Sequence, residues 1–160
     1  MSAKLKKSYS AREVAALTGL TARQLQWWDS RQLLSASVAS RPTKAGGFTE
    51  RRYSPLDLYE LSALAELRRR GFTVQRIRKM LAALREHFGI RLFEALDDSG
   101  PVSLWLDSGN VYARTRAGAL HNLLQVPEQP LLAVDAEGLE VLGARPGRRL
   151  RRKTKRKIEP

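Results

Sequence analysis

Apolar residues in the first half of the chain recur at helical spacing, and a residue able to cap a helix precedes each periodic run. Ser10-Ala-Arg-Glu13 and Thr21-Ala-Arg-Gln24 both have capping-box spacing, in which the Ser or Thr oxygen meets an exposed amide and the fourth side chain reaches back. Ser54-Pro55 places a cap before proline at the first helical position, where no amide hydrogen is needed, and Asp57 complements the dipole. Thr73 caps a fourth run after Gly71. The pattern predicts helices at about Ala11–Leu17, Ala22–Gln32, Pro55–Arg70 and Val74–His87. Expected inward positions are Val14, Ala15 and Leu17 in the first, and Leu58, Leu61, Leu64 and Ala65 in the third. In the fourth they are Val74, Ile77, Leu81, Leu84 and Phe88. Thr18-Gly19-Leu20 is a tight turn between the first two helices. Such a pair is either a helix-turn-helix or an ordinary helical hairpin of a bundle.

After Leu33-Leu34 the helical period stops. Ser35–Ser40 is small and polar, Arg41–Phe48 is a glycine turn edged by basic residues, and Glu50–Tyr53 is short and extended. This reads as a two-stranded wing, although Gly46-Gly47 would equally suit a flexible linker. Further on, Val102–Leu106 and Val111–Arg116 flank Asp107-Ser-Gly-Asn110, the signal of a β-hairpin. Leu131–Asp135 and Leu139–Leu142 are expected as further strands, and Ala117–Leu124 as a short helix or a connecting turn. The resulting small antiparallel sheet is expected to pack on the fourth helix through Trp105 or Tyr112. The predicted class is α+β: a basic arm over 1–9, a helical domain with a wing over 10–89, a small acidic β-rich domain over 90–143, and a disordered basic tail over 144–160.

Charge adds a partner to this outline. The 160 residues carry 29 Lys and Arg against 16 Asp and Glu, a net charge of +13. Ala11–Gly89 holds 14 basic and 7 acidic residues, Ile90–Gly143 holds 3 and 8, and Ala144–Pro160 holds 9 and 1. Two basic ends therefore flank an acidic middle. The excess points to a polyanion, nucleic acid or an anionic membrane. No apolar run approaches a membrane span, and Met1–Ser10 has no apolar signal core. With 0 Cys there is no disulfide, zinc finger or thiolate chemistry, which fits a reducing cytoplasm. The basic side chains Arg148, Arg149, Arg151, Arg152, Lys153, Lys155, Arg156 and Lys157 are expected to make sequence-blind nucleic-acid contacts.

Several runs have the order and spacing of one known family: Val14-Ala15-Xaa-Leu17-Thr18-Gly19, then Thr21-Xaa-Xaa-Xaa-Leu25-Xaa-Trp27-Trp28-Asp29. Leu33-Leu34, Arg51-Arg52-Tyr53-Ser54, Asp57-Leu58-Xaa-Xaa-Leu61 and Gly71-Phe72-Thr73-Val74-Xaa-Xaa-Ile77 follow. Together Ser10–Leu84 resembles the DNA-binding domain of MerR-family transcriptional regulators. The resemblance implies a winged helix-turn-helix of four helices and a wing, with the second helix in the major groove and the wing on the flanking backbone. It implies DNA contacts from Thr21, Arg23 and Gln24 at the start of that helix, where Arg or Gln can pair bidentately with purine edges. Trp27 matches an aromatic near the backbone, with its neighbour Trp28 in the core. Arg51 and Tyr53 match wing residues used on phosphates, with Arg52 between them. Arg41 and Lys44 are wing candidates by charge alone. Gln26 stands where the family usually has Arg, which bears on base preference. The family's long dimerisation helix has no counterpart here, because the fourth helix ends near His87-Phe88-Gly89.

The function expected is that of a bacterial, cytoplasmic and nucleoid-associated transcription regulator binding double-stranded DNA as a homodimer. No enzyme, cofactor or metal site is expected. His87 and His121 are the two histidines, and neither has metal-ligand spacing or a nucleophile partner. No phosphate-binding or dinucleotide loop occurs. Two alternatives remain. One is a MerR-like, DNA-binding antitoxin of a toxin-antitoxin pair, whose acidic C-terminal half binds the toxin. The other is a non-specific nucleoid or RNA-binding protein driven by its tail.

Overall fold

A computed structural model describes residues 7–31, 38–42, 49–97, 99–131 and 138–143. They fall into two compact units, divided between Arg69 and Arg70. The predicted tail, with the eight basic side chains expected to contact nucleic acid, lies outside the described residues.

In the first unit, β1 (Tyr9–Ser10) leads into α1 (Ala11–Thr18), α2 (Ala22–Ser30), β2 (Val38–Pro42), β3 (Thr49–Tyr53) and α3 (Pro55–Arg69). The strands form an antiparallel sheet in the order β1-β3-β2, with Tyr9 opposite Tyr53 and Arg41 opposite Glu50. The wing is therefore a strand pair, and the arm adds a third strand to it. All three helices begin on caps that the sequence announced. Ser10 N–H donates to Glu13 Oε1 at 2.9 Å, and Glu13 N–H to Ser10 Oγ at 3.1 Å. Ser54 N–H donates to Asp57 Oδ2 at 2.8 Å, and Asp57 N–H to Ser54 Oγ at 3.0 Å. Asp57 thus does more than complement the dipole; it closes a box from a fully buried position.

α1 packs against α2, α3 and β3. Val14, Leu20, Leu25, Trp28, Leu61 and Leu64 are all buried. Leu17, expected inward, is 62% exposed. The inward line of α1 runs instead through Val14 and Thr18, four residues apart. Thr18 can occupy it because its hydroxyl donates to Val14 O at 2.8 Å and accepts from Leu20 N–H at 3.1 Å. Gly19 ends the helix with φ of 83°, a left-handed conformation that suits glycine.

The second unit holds α4 (Val74–Ala83), a π-helical turn (Leu84–Phe88), a 3₁₀ turn (Leu92–Ala95), and the strands β4 (Val102–Leu106), β5 (Val111–Thr115), β6 (Leu120–Asn122) and β7 (Glu140–Val141). Thr73 caps α4, its side chain accepting from Arg76 N–H at 3.1 Å. The buried stripe is Ile77, Met80, Ala83 and Leu84, with the expected Leu81 and Val74 only half-buried. The wider π turn carries Phe88 off that stripe, and its ring meets His121 edge-on at 5.3 Å.

The sheet order is β6-β5-β4-β7, all antiparallel. Val102, Leu104, Leu106, Val111 and Ala113 alternate onto its buried face. Trp105 and Tyr112 are register partners on the opposite, half-buried face, so the expectation that they pack the sheet is corrected. The two-residue side-chain period decides this, because Leu104 and Leu106 claim the inner face. Ala117–Leu124 is neither helix nor simple turn. Gly118 N–H donates to Thr115 O and Thr115 N–H to Ala119 O, both at 2.9 Å, and the chain returns as β6. β7 lies within the predicted Leu139–Leu142. Of the predicted Leu131–Asp135, Leu131 N–H donates to Leu120 O at 2.8 Å, and the remainder is outside the described residues.

Candidate nucleic-acid interface

The local chemistry of α2 separates its two faces. Thr21 N–H donates to Gln24 Oε1 at 2.9 Å, while Gln24 N–H donates to Thr21 Oγ1 at 2.9 Å. This box holds the first turn. Leu25 and Trp28 are 2% and 1% exposed and anchor the helix. Arg23, Gln26, Trp27 and Arg31 are exposed. The Arg31 guanidinium lies over the Trp27 ring, 4.6 Å from its centroid. That contact preorients a cation beside an indole face on the open side of the helix. Arg31 was not among the residues expected from sequence; its four-residue spacing from Trp27 is the signal that marks it.

The turn before α2 is held from α3. Arg69 Nη1 donates to Thr18 O at 3.4 Å, and Arg69 Nη2 pairs with Glu66 at 2.8 Å. Arg69 therefore braces the helix-turn-helix as well as answering its own helix dipole.

The wing strand meets α2 through charge. Arg51 on β3 forms an ion pair with Asp29 in the last turn of α2. Arg52, its neighbour, donates from Nε and Nη2 to Ser8 Oγ at 3.1 and 2.8 Å, tying the arm to the wing. Neither Asp29 nor Ser8 stood out as a brace in the sequence, because each finds its arginine only after the sheet has formed.

The side chain of Tyr53, expected on phosphates, is 1% exposed. It follows Arg51 by two residues on a strand, so both project from the same face toward the helices. Tyr53 goes under that face while Arg51 reaches its rim. Burial, then the charge of Asp29, pushes the Tyr53 hydroxyl above its ordinary value, with Asp57 adding to the effect and Arg51 opposing it. Tyr53 is thus a core residue beneath the surface that carries Arg51. Arg41 lies in β2 opposite Glu50, and Lys44 is outside the described residues.

Arg23, Gln24, Gln26 and Trp27 accordingly share one short helix, with Thr21 and Arg31 at its two caps, and Arg51 and Arg52 stand on β3. Among the described residues no group of His, Asp and Glu is arranged to hold a metal ion, and no helix is long and apolar enough to cross a membrane.

Comparison with known proteins bears on the same segment. A family model described as MerR HTH family regulatory protein matches residues 9–84. The HTH-type transcriptional regulators Rv1830 of Mycobacterium tuberculosis and Mb1861 of Mycobacterium bovis are each 28% identical over 117 residues, or 73% of this chain. The chain spans 48% of the length of these relatives. A crystal structure of a MerR-family transcriptional regulator from Bacillus cereus is 27% identical, covers 47% of this chain and 52% of its own, and superposes with a TM-score of 0.38. The capped helix pair, the strand pair after it and the family match describe the same stretch of sequence. Residues 9–84 are thus similar to the MerR family of helix-turn-helix regulatory proteins, by the family model and by the curated relatives alike.

Proposed function

We propose that this protein is a sequence-specific regulator of transcription that reads double-stranded DNA with α2 in the major groove and rests the β2–β3 wing on the flanking backbone. The observation that carries the reading is the open face of α2. Arg23, Gln26, Trp27 and Arg31 are exposed on a helix whose other face is anchored by Leu25 and Trp28. Polar and cationic side chains on a rigid, capped helix are what base edges and phosphates require. Arg51 is held by Asp29 at the end of that helix, so it presents its charge at a defined distance from the reading face. The basic tail adds affinity without sequence preference. The active species is a homodimer on a two-fold related site, with half-site spacing set by the dimer.

The test is a binding titration of the full chain on a selected duplex and on random duplex at several salt concentrations. Arg23→Ala is expected to lower the preference for the selected duplex by about tenfold, the usual order for a base contact. Removing Arg145–Pro160 is expected to weaken binding to both duplexes and to flatten the salt dependence, with preference retained. Equal binding to both duplexes by the unaltered protein would sink the reading.

A further inference from the structure

Gln24 occupies two roles that compete for the same atoms. On the family resemblance it is a base-reading residue; in the structure it closes the helix cap. A glutamine amide has one oxygen acceptor and two N–H donors. Its Oε1 accepts from Thr21 N–H at 2.9 Å and lies 3.4 Å from Thr21 Oγ1. A backbone N–H can only donate, so the amide orientation is set by chemistry: the oxygen faces the cap and Nε2 faces away. Paired recognition of adenine needs both an acceptor and a donor from one amide, placed against N6 and N7 together. Gln24 cannot supply that pair without opening its box and releasing the first turn of α2.

We propose that Gln24 reads DNA as a donor-only group, its two Nε2 hydrogens selecting guanine, which offers O6 and N7 as adjacent acceptors. The inference rests on the DNA-reading role of α2 given above. At about 100° per residue, Gln24 and Gln26 flank the line of Arg23 and Trp27 on opposite sides. Gln26 is exposed and belongs to no cap, so adenine-type recognition by a glutamine falls to that side of the helix. Thr21 becomes a specificity residue at one remove: it touches no base but decides which end of the Gln24 amide faces the groove.

The experiment is selection of duplexes from a library randomised across a half-site. It uses the full chain with no substitution, with Gln24→Glu and with Gln24→Ala, and each protein is melted by circular dichroism in parallel. Gln24→Glu keeps the box, since a carboxylate is the usual partner at this position, and is expected to melt with the unaltered protein. It exchanges the outward donor for an acceptor. Preference at one base position is expected to move from guanine to cytosine, whose N4 donates, with a change of about tenfold in the ratio of the matched duplexes. Gln24→Ala is expected to melt lower and to lose preference at that same position. Adenine at that position in the unaltered protein, or a preference that Gln24→Glu leaves unmoved, overturns the inference while leaving the DNA-reading role intact. Failure of the unaltered protein to enrich any sequence overturns both.

Discussion

The helix-turn-helix with its wing and the β4–β5 hairpin satisfy their polar groups over different distances along the chain. In the first, Arg52 reaches Ser8 across 44 residues and Arg69 reaches Thr18 across 51. In the hairpin, Asp107 Oδ1 accepts from Gly109 N–H at 2.9 Å and Asn110 N–H at 2.8 Å, and Oδ2 accepts from the Tyr112 hydroxyl at 3.1 Å. Trp105 Nε1 donates to Ser103, two residues away. A hairpin needs only its turn and its alternation to close, so the contacts that shape its turn are local, while the Gly109 carbonyl also accepts from Arg76, 33 residues earlier. A surface that presents several side chains to one partner needs elements from distant parts of the chain in fixed relation, so its polar contacts are long-range braces.

Three experiments press on that difference, the largest effect first. Trp28→Ala empties a fully buried indole site beneath α2 and is expected to cost about 3–5 kcal/mol. If the braced region depends on that anchor, a urea transition should show it lost together with DNA binding. Leu104→Ala, on the inner face of the sheet, is the matched substitution for the hairpin unit and is expected to cost about 2–5 kcal/mol. Separate transitions for the two variants would show the units unfolding independently. A single shared transition would show them coupled.

The second experiment uses pH. Burial alone would raise the Asp107 carboxyl, but the Gly109 and Asn110 amides and the Tyr112 hydroxyl outweigh it and hold the group below its ordinary value of 3.8. A depressed carboxyl contributes stability above the unfolded value, and that contribution is lost as pH falls through the folded one. The hairpin should therefore weaken below pH 3.8, and Asp107→Asn should remove that part of the pH dependence. Tryptophan fluorescence melts of both proteins above and below this value measure it. A wild-type difference that persists unchanged in Asp107→Asn would show that other groups carry it.

The smallest effect belongs to the Asp29–Arg51 pair. Arg51 is 41% exposed, so screening limits the pair to about 0.2–1 kcal/mol of stability. Its larger consequence is expected in binding. A double-mutant cycle of Asp29→Asn and Arg51→Met should give a small coupling in urea and a larger one in DNA affinity. Equal couplings would make the pair an ordinary surface contact.

The capping residues were legible in the sequence because a cap is local. Ser10 with Glu13, Thr21 with Gln24, and Thr73 each need only the three residues that follow. The β4–β5 hairpin was legible for the same reason. β6 was missed because Leu120–Asn122 is too short to show alternation, and its strand character comes from pairing with β5. Tyr53 was placed on the surface because a resemblance locates a residue in a motif and does not say which way its ring turns.

The sequence by itself determined where helices begin, that the basic Ala11–Gly89 and Ala144–Pro160 flank an acidic Ile90–Gly143, and that Ser10–Leu84 resembles one family's pattern, since these depend on composition and on neighbours a few residues apart. Only the tertiary structure decided that Arg51 is held by Asp29, that Arg52 holds the arm and that Tyr53 lies beneath them. Those outcomes depend on which strand lies beside which helix, and the position of a strand is fixed by burial summed over the whole unit rather than by any short run of residues.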